Sequence, residues 1–217
     1  MTDRRETAEF IRKHKLVAIA RGVSENEILS TAQALYDGGI RCMEVALNHD
    51  SEEKTEESLR TIALAVKEMK GRMRIGAGTV LSVREVELAA EMGAEYIISP
   101  NTDLDVIKHS AKLGLCSMPG AFTPSEIAAA YEAGADFVKL FPAGVLGMAY
   151  IKAIRGPLNH IPLVAVGGVT VENCQSFLEA GCAGLGIGGN LVRLDLIQSG
   201  RFKEMEGIAR SYTERVK

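Results

Sequence analysis

One lysine of this 217-residue chain lies inside an otherwise apolar stretch. Lys139 occupies the middle of the run DFVKLFP (136–142), whose residue types are typical of a buried strand. A buried ammonium is costly unless it is paired, and burial lowers the pKa of a lysine so that its neutral amine becomes a nucleophile. Such an amine can attack a carbonyl carbon and form a Schiff base. The alternative is a structural lysine whose ammonium reaches solvent at the strand end.

A carboxylate occurs in a comparable setting earlier in the chain. Alternation along segment 41–48 puts Glu44 on the face opposite three apolar side chains, which are expected to meet helices. Glu44 therefore points inward, and Lys139 is predicted to point inward for the same reason. One interpretation makes Glu44 the general acid/base that Schiff-base chemistry requires. The alternative is a structural ion pair with Lys139 or Arg21.

Polar or small residues also follow other strand-like segments. The motif GAGT ends at Thr79, which offers a hydroxyl and an N–H group to a carboxylate. The alternative is a tight turn in which Thr79 caps the helix that begins near Ser82. Another segment ends at Pro100, and Thr123 is predicted to be a structural N-cap followed by Pro124.

Two glycine pairs, Gly167–Gly168 and Gly188–Gly189, follow the last two strand-like segments. Bare backbone N–H groups beside a helix N-terminus can hold a phosphate, and loops after the seventh and eighth strands of (β/α)₈ barrels often do so. The pattern predicts a phosphorylated ligand. The alternative is close packing of helix against strand.

Strand-like and helix-like segments alternate regularly along the chain. The predicted strands are Lys15–Ala20, Arg41–Val45, Arg74–Gly76, Tyr96–Ser99, Leu115–Met118, Phe137–Leu140, Pro162–Val166 and Gly184–Ile187. The predicted helices are a leading one at about Thr2–Lys13, then Glu25–Tyr36, Glu52–Met69, Val83–Glu91, Leu104–Lys112, Pro124–Glu132, Met148–Ile154, Glu172–Glu179 and a helical stretch from Leu194 to Val216. This order favours one (β/α)₈ barrel over residues 1–217, rather than an open doubly wound sheet.

Composition narrows the classes of partner. The net charge is −3 with no basic stripe, so neither nucleic acid nor an anionic membrane is expected as a partner. The charged N-terminal residues lack an apolar signal core, which predicts a cytoplasmic protein. The four cysteines form no C-x-x-C pair and are predicted to be buried free thiols. No metal is expected, because the four histidines have no metal-ligand spacing.

Several stretches occur in an order and combination that is specific to one family. They are EVAL (44–47), GAGTVL (76–81), SP (99–100), PG (119–120), TPSE (123–126), VKLFPA (138–143), GGV (167–169) and GG (188–189). Over nearly its full length the chain thus resembles the KDPG/KHG aldolases, which are class I pyruvate aldolases. The resemblance implies a (β/α)₈ barrel that forms homotrimers and needs no cofactor. Its keto-acid substrate would be 2-keto-3-deoxy-6-phosphogluconate, cleaved to pyruvate and glyceraldehyde 3-phosphate, or 4-hydroxy-2-oxoglutarate, cleaved to pyruvate and glyoxylate.

The resemblance also implies roles for individual residues. Lys139 matches the imine-forming lysine and Glu44 the acid/base. Thr79 matches the residue that holds the pyruvyl carboxylate, whereas Pro100 and Phe141 match the walls around the pyruvyl group. The four glycines described above match the phosphate site.

The chain departs from the gluconate-type members at several positions. Many of those members have Arg where this chain has Asn48, and Thr where it has Val166; Asn48 and Val166 are predicted to contact the substrate. Galactonate-type relatives show L-N and A-V-G-G-V patterns like those of this chain, and an arginine that resembles Arg21. Asn190 replaces the serine of the phosphate site and still offers an N–H donor. A galactonate-type substrate is therefore an alternative, with Arg21 predicted to supply an anion contact.

Two rival functions remain beside the aldolase. A phosphate-binding barrel isomerase or epimerase would need no imine, and a metabolite-binding barrel would need no chemistry. The inward pair of Lys139 and Glu44 favours the aldolase over both.

Overall fold

A computed structural model describes residues 3–217 of the chain. The strands are β1 (Leu16–Ala20), β2 (Cys42–Ala46), β3 (Arg74–Gly78), β4 (Tyr96–Ile98), β5 (Cys116–Met118), β6 (Gly120–Ala121), β7 (Val138–Leu140), β8 (Leu163–Val166) and β9 (Gly184–Ile187). The helices are α1 (Arg4–His14), α2 (Ile28–Asp37), α3 (Glu52–Glu68), α4 (Val83–Glu91), α5 (Leu104–Lys112), α6 (Pro124–Glu132), α7 (Ala143–Arg155), α8 (Cys174–Glu179), α9 (Leu194–Gln198) and α10 (Phe202–Arg215). All strand pairs are parallel, in the order β5-β4-β3-β2-β1-β9-β8-β7-β6.

The two outer members of that order are pieces of one strand, interrupted at Pro119. Proline has no N–H group to donate to the ladder, so β5 pairs with β4 and β6 pairs with β7. Two further hydrogen bonds close the seam: Phe137 N–H donates to Ser117 O at 3.2 Å, and Gly120 N–H donates to Asn101 O at 3.2 Å. The predicted (β/α)₈ barrel is therefore confirmed, and the open sheet is excluded.

Side-chain alternation separates an inner core from an outer one. The barrel interior holds Val17, Cys42, Tyr96, Ile98, Cys116, Met118, Phe137, Val164 and Val166. Met43 and Val45 of β2, and Val138 and Leu140 of β7, pack in the outer core instead. This arrangement confirms the predicted faces of both strands. All four cysteines are buried free thiols, as predicted.

Helix α1 covers the N-terminal end of the barrel. Its Ile11 belongs to the inner core, and Arg4 forms an ion pair with Asp136 at 2.9 Å. The guanidinium of Arg12 lies 5.5 Å from the ring centroid of Phe137. The leading helix is thus confirmed, although its predicted first residue, Thr2, lies outside the described residues.

Predicted and observed strands agree, apart from the split fifth strand and shifts of one or two residues at their ends. The single helical stretch predicted from Leu194 to Val216 is wrong, because Gly200 (φ +69°) separates α9 from α10. Helix α7 begins at Ala143 instead of Met148, with a non-helical residue at Gly147. Helix α2 begins later than predicted, at Ile28.

No helix within residues 3–217 has the length and apolar character that crossing a lipid bilayer demands.

Candidate active site

Lys139 lies on the inner face of β7 near its C-terminal end, with 6% of its surface exposed. Its ammonium nitrogen is 4.9 Å from the ring centroid of Phe141. Burial lowers the pKa of Lys139; Glu44 opposes this shift and Arg21 adds to it. At a given pH, Lys139 is therefore a neutral amine in a larger fraction of molecules than a lysine in water would be.

Glu44 occupies the inner face of β2 and is 1% exposed. Burial raises its pKa to about 7, against the opposing effects of Lys139 and Arg21. Among residues 3–217 no donor lies within hydrogen-bonding distance of its Oε2 atom. The charge of Lys139 acts on this carboxyl group, yet its buried Oε2 atom has no ion-pair partner, which disfavours the structural alternative for Glu44.

Gly78 makes room for this carboxyl group. A Cβ atom added at Gly78 would lie 2.6 Å from Cδ of Glu44, closer than real Cβ contacts. The register that pairs Ala46 with Gly78 brings the two strand ends to this position. Gly78 was not predicted to be a site residue, although it is the second glycine of the GAGT motif.

Thr79 has a left-handed backbone conformation, with φ +58°. This conformation is strained for a β-branched residue, and such strain concentrates at functional sites. Its hydroxyl accepts a hydrogen bond of 3.0 Å from the guanidinium of Arg21. The alternative that Thr79 caps a helix is wrong, because the N-cap of α4 is Ser82.

Pro100 and Phe141 both lie close to the position of Lys139. The carbonyl group of Pro100 packs directly on the Cα of Gly120, where no side chain would fit, and Gly120 pairs in register with Lys139. Phe141 is 39% exposed and contacts Gly167 as well as the lysine. Gly120, like Gly78, was not predicted to be part of the site.

The glycine loop after β8 contacts both the loop after β7 and the glycine loop after β9. Gly167 and Gly168 both have positive φ, and Gly144 N–H donates to Gly167 O at 2.8 Å. Gly144 and Gly168 approach so closely that a Cβ on either would lie about 3 Å from the Cα of the other. This close packing explains in part why residue 168 is a glycine. Nothing in the sequence marked Gly144 as a residue of this region.

Three exposed N–H groups in these loops are unpaired. Those of Gly168, Gly189 and Asn190 donate to no atom of the part of the chain that the structure describes. The side-chain amide of Asn190 donates to Val169 O at 2.8 Å, which joins the loop after β9 to the loop after β8. Gly188, whose carbonyl accepts from residues 191 and 192, turns the chain at this point. The arrangement can accept an anion.

Val166 and Asn48 differ in their relation to this centre. Val166 is buried in the barrel against Gly186. Asn48 follows β2, but its side-chain oxygen accepts a hydrogen bond from Asp50 N–H at 2.9 Å, and its carbonyl oxygen accepts one from the Thr55 hydroxyl. Both hydrogen bonds stabilise the turn after β2, and contact of Asn48 with the substrate stays a prediction.

Comparisons with known proteins agree with this architecture. The family described as KDPG and KHG aldolase matches residues 7–208. The 2-dehydro-3-deoxy-6-phosphogalactonate aldolase of Escherichia coli strain K12 is 36% identical over 94% of this chain and 97% of its own length. The KHG/KDPG aldolase of the same strain is 31% identical, over 86% of this chain and 84% of its own.

A solved structure described as native KDPGal superposes with a TM-score of 0.83 and 36% identity, covering 93% of each chain. Match length and identity are sufficient to assign the family and its reaction class. The chain belongs to the KDPG and KHG aldolase family and is a carbon–carbon lyase.

Proposed function

We propose that this aldolase cleaves 2-keto-3-deoxy-6-phospho sugar acids to pyruvate and glyceraldehyde 3-phosphate through an imine on Lys139. The observation that carries the proposal is the buried Lys139, whose pKa is lowered, facing a carboxyl group with a raised pKa. A neutral amine and a titratable acid/base are the two groups that imine chemistry requires.

The proposed cycle begins when the neutral amine of Lys139 attacks the C2 keto carbon. Loss of water gives an iminium, which accepts the electron pair released when the C3–C4 bond breaks. Glu44, directly or through a water molecule, removes the proton of the C4 hydroxyl, so that the aldehyde leaves. The remaining enamine is protonated at C3, and hydrolysis of the imine releases pyruvate and restores the amine.

Two separate regions would bind the two anionic ends of the substrate. The hydroxyl of Thr79 and the guanidinium of Arg21 lie together and would hold the keto-acid carboxylate. The unpaired N–H groups of Gly168, Gly189 and Asn190 would hold the phosphate, with Gly167 and Gly188 shaping the loops. Lys139 lies on β7, which pairs with β8, the strand that leads to the first of the glycine loops.

Arg21 is expected to substitute for the arginine that gluconate-type members carry at the position of Asn48. Arg21→Ala would then raise KM for the keto acid about tenfold, because a charge-assisted contact is lost. An unchanged KM would show that Arg21 binds no anion of the substrate.

Among phosphorylated substrates we infer a preference for the galactonate-type keto acid. The chain carries Asn48 and Val166 in the pattern of galactonate-type relatives, and the E. coli 2-dehydro-3-deoxy-6-phosphogalactonate aldolase is 36% identical. The gluconate epimer and 4-hydroxy-2-oxoglutarate are the other candidates, the latter favoured by the likeness to the KHG/KDPG aldolase.

Borohydride trapping tests the imine. The protein treated with pyruvate and borohydride is expected to gain the mass of one reduced pyruvyl adduct, at Lys139. Lys139→Ala should lose both the adduct and turnover, whereas Lys152→Ala, an exposed lysine of α7, should keep both. An adduct or turnover that survives in Lys139→Ala would disprove the assignment, and an isomerase or epimerase would give no adduct at all.

Pyruvate release, coupled to lactate dehydrogenase, tests the substrate. The galactonate-type keto acid, its gluconate epimer and 4-hydroxy-2-oxoglutarate are compared at equal concentration. The highest kcat/KM is expected for the galactonate-type acid. Preference for 4-hydroxy-2-oxoglutarate would contradict the phosphate site in the glycine loops.

We further propose that the chain forms homotrimers, as the family resemblance implies. Phe122 and Val145 are large apolar side chains that are 42% and 78% exposed, and burial in an interface would remove them from water. Light scattering is expected to give about three times the chain mass of 23.3 kDa. A monomer in solution would contradict this proposal.

A further inference from the structure

Glu85, in the first turn of α4, contacts two loops of the active-site face. Its Oε2 accepts a hydrogen bond of 2.6 Å from Leu81 N–H, in the loop after β3. Its Oε1 lies 3.0 Å from Nε2 of His49, in the loop after β2. The carboxylate side chain is only 16% exposed. The side chain of Glu85 therefore links the loop after β2, the strand of Glu44, to the loop after β3, which contains Thr79.

The Leu81 contact lies two residues from the strained Thr79. On one side of this segment, Val80 N–H donates to Ile98 O of β4 at 3.2 Å. On the other side, Glu85 holds Leu81. A left-handed threonine persists only where the surrounding structure holds it in place, and these contacts fix the backbone immediately after Thr79.

Two equivalent carboxylates lack this reach into a neighbouring loop. Glu126 of α6 accepts hydrogen bonds from Phe122 N–H, as Glu85 does from Leu81 N–H, and from the N–H and the hydroxyl of Thr123. Glu27, just before α2, accepts them from the N–H and the hydroxyl of Ser24. Their described partners belong to their own loops. Glu85 shares their position at a helix start but also binds His49, so capping alone does not account for its contacts.

We propose that Glu85 is a positioning residue that holds Thr79 in the conformation that binds the keto-acid carboxylate. This inference rests on the proposed role of Thr79. Without the Glu85 carboxylate, the loop after β3 loses its anchor at Leu81. Thr79 then relaxes towards a negative φ, and its hydroxyl leaves the position set by Arg21. Binding of the carboxylate weakens, while the imine and acid/base groups stay in place.

The test compares Glu85→Ala with Glu85→Gln. For each variant, KM and kcat are measured with the preferred keto acid, as is the pyruvate concentration that gives half-maximal borohydride trapping. Glu85→Ala is expected to raise KM and this concentration about tenfold with little change in kcat, because it removes binding and leaves the chemistry. Glu85→Gln is expected to keep KM and the half-maximal pyruvate concentration near their wild-type values, because the amide oxygen still accepts a hydrogen bond from Leu81 N–H.

Two control variants separate positioning from helix stability. Ser82→Ala removes the N-cap of α4 but leaves both side-chain contacts of Glu85. Glu126→Ala removes the matching carboxylate of α6. Both controls should keep the wild-type KM and trapping concentration even if they melt at a lower temperature. A normal KM in Glu85→Ala, or an equal rise in either control, would overturn the proposal.

Thr79→Ala separates this inference from the proposed function. If Thr79→Ala raises the half-maximal pyruvate concentration and Glu85→Ala does not, the positioning role of Glu85 is wrong and the role of Thr79 stands. If Thr79→Ala leaves that concentration unchanged, Thr79 does not bind the carboxylate, and the inference fails with the role it depends on.

Discussion

At the scale of single residues, burial acts on Glu44 and Lys139 in opposite directions. It raises the pKa of the acid and lowers the pKa of the amine, and so favours the neutral form of each. An ion pair would reverse both shifts and would leave a protonated lysine that cannot attack a carbonyl. The proposed chemistry therefore requires that the two groups form no ion pair, as well as requiring an amine and a carboxyl group.

Replacing Glu44 with glutamine is expected to separate activity from stability. Turnover should fall by about 10²–10⁴-fold, because the acid/base is lost. The pKa of Glu44 rises from 4.5 in the unfolded chain to about 7 in the fold, so the folded state binds its proton more tightly. Ionisation of Glu44 thus lowers the free energy of unfolding as pH rises from 4.5 to 7, by roughly 3 kcal/mol.

Glu44→Gln removes this dependence. The free energy of unfolding of the variant minus that of wild type should therefore be larger at pH 8 than at pH 5. Urea unfolding of both proteins at the two pH values measures this difference. An equal stability difference at both values would show that Glu44 does not titrate in this range.

Thr79 offers a second comparison, between alanine and glycine. Both substitutions remove the hydroxyl and should raise KM for the keto acid to a similar extent. Thr79→Gly should be more stable than Thr79→Ala by about 1 kcal/mol, because glycine adopts positive φ without a Cβ penalty. Thermal unfolding checks the order. Equal stability of the two variants would mean that residue 79 is not strained.

At the scale of elements, the register of β2 against β3 positions Glu44, the proposed acid/base. Pairing of Ala46 with Gly78 places the Glu44 carboxyl group over a residue without a side chain. A one-residue slip would turn Glu44 towards the helices, because side chains alternate along a strand.

Gly78→Ala is expected to displace Glu44 without removing it. The new Cβ would lie 2.6 Å from Cδ of Glu44, so the carboxyl group has to move. We expect kcat to fall at least about tenfold, because a small misplacement of a catalytic group has a large effect on rate. Gly207→Ala, which places its Cβ in open space on α10, is the control and should keep full activity. Normal kcat in Gly78→Ala would show that the position of Glu44 is not critical.

Most elements could be predicted because their signals are local. Val83–Glu91, Leu104–Lys112 and Pro124–Glu132 match the observed helices, since cap residues and glycines mark their ends. The prediction of one helical stretch from Leu194 to Val216 was wrong because a helical pattern of side chains continues past Gly200, where the backbone turns. The split of the fifth strand depends on its hydrogen bonds to the strands on both sides. The pattern of side chains along one segment carries no information about these partners.

The candidate site could be predicted to a similar degree. Lys139 and Glu44 were found because a charge in an apolar run is conspicuous in sequence. Gly78 was missed as a site residue because its role depends on the side chain of a neighbouring strand. The predicted contact of Asn48 with the substrate stays a prediction; its hydrogen bond with Asp50 N–H belongs to the turn after β2, which strand alternation does not describe.

At the scale of the whole molecule, one end of the barrel holds the proposed active site and the other end contributes to stability. The proposed catalytic groups lie at the C-terminal ends of the strands, and α1 closes the N-terminal end. Ile11 of α1 is 1% exposed and packs within the inner core, on the side away from the loops after the strands.

Ile11→Ala is therefore expected to reduce stability without changing KM. Removing a buried isoleucine side chain from a packed core costs about 2–5 kcal/mol. Chemical unfolding and steady-state kinetics on the same preparation test both parts. A shifted KM would show that the two ends of the barrel are coupled.

The seam at Pro119 has a consequence for how the protein behaves at high concentration. Both pieces of the interrupted strand are hydrogen-bonded on each side, so the ring presents no open strand edge on which another polypeptide could add. Aggregation by strand addition has to begin from a ring that has opened. The rate of such aggregation is expected to follow the rate of barrel opening, and conditions that slow unfolding would also extend the storage life of the protein.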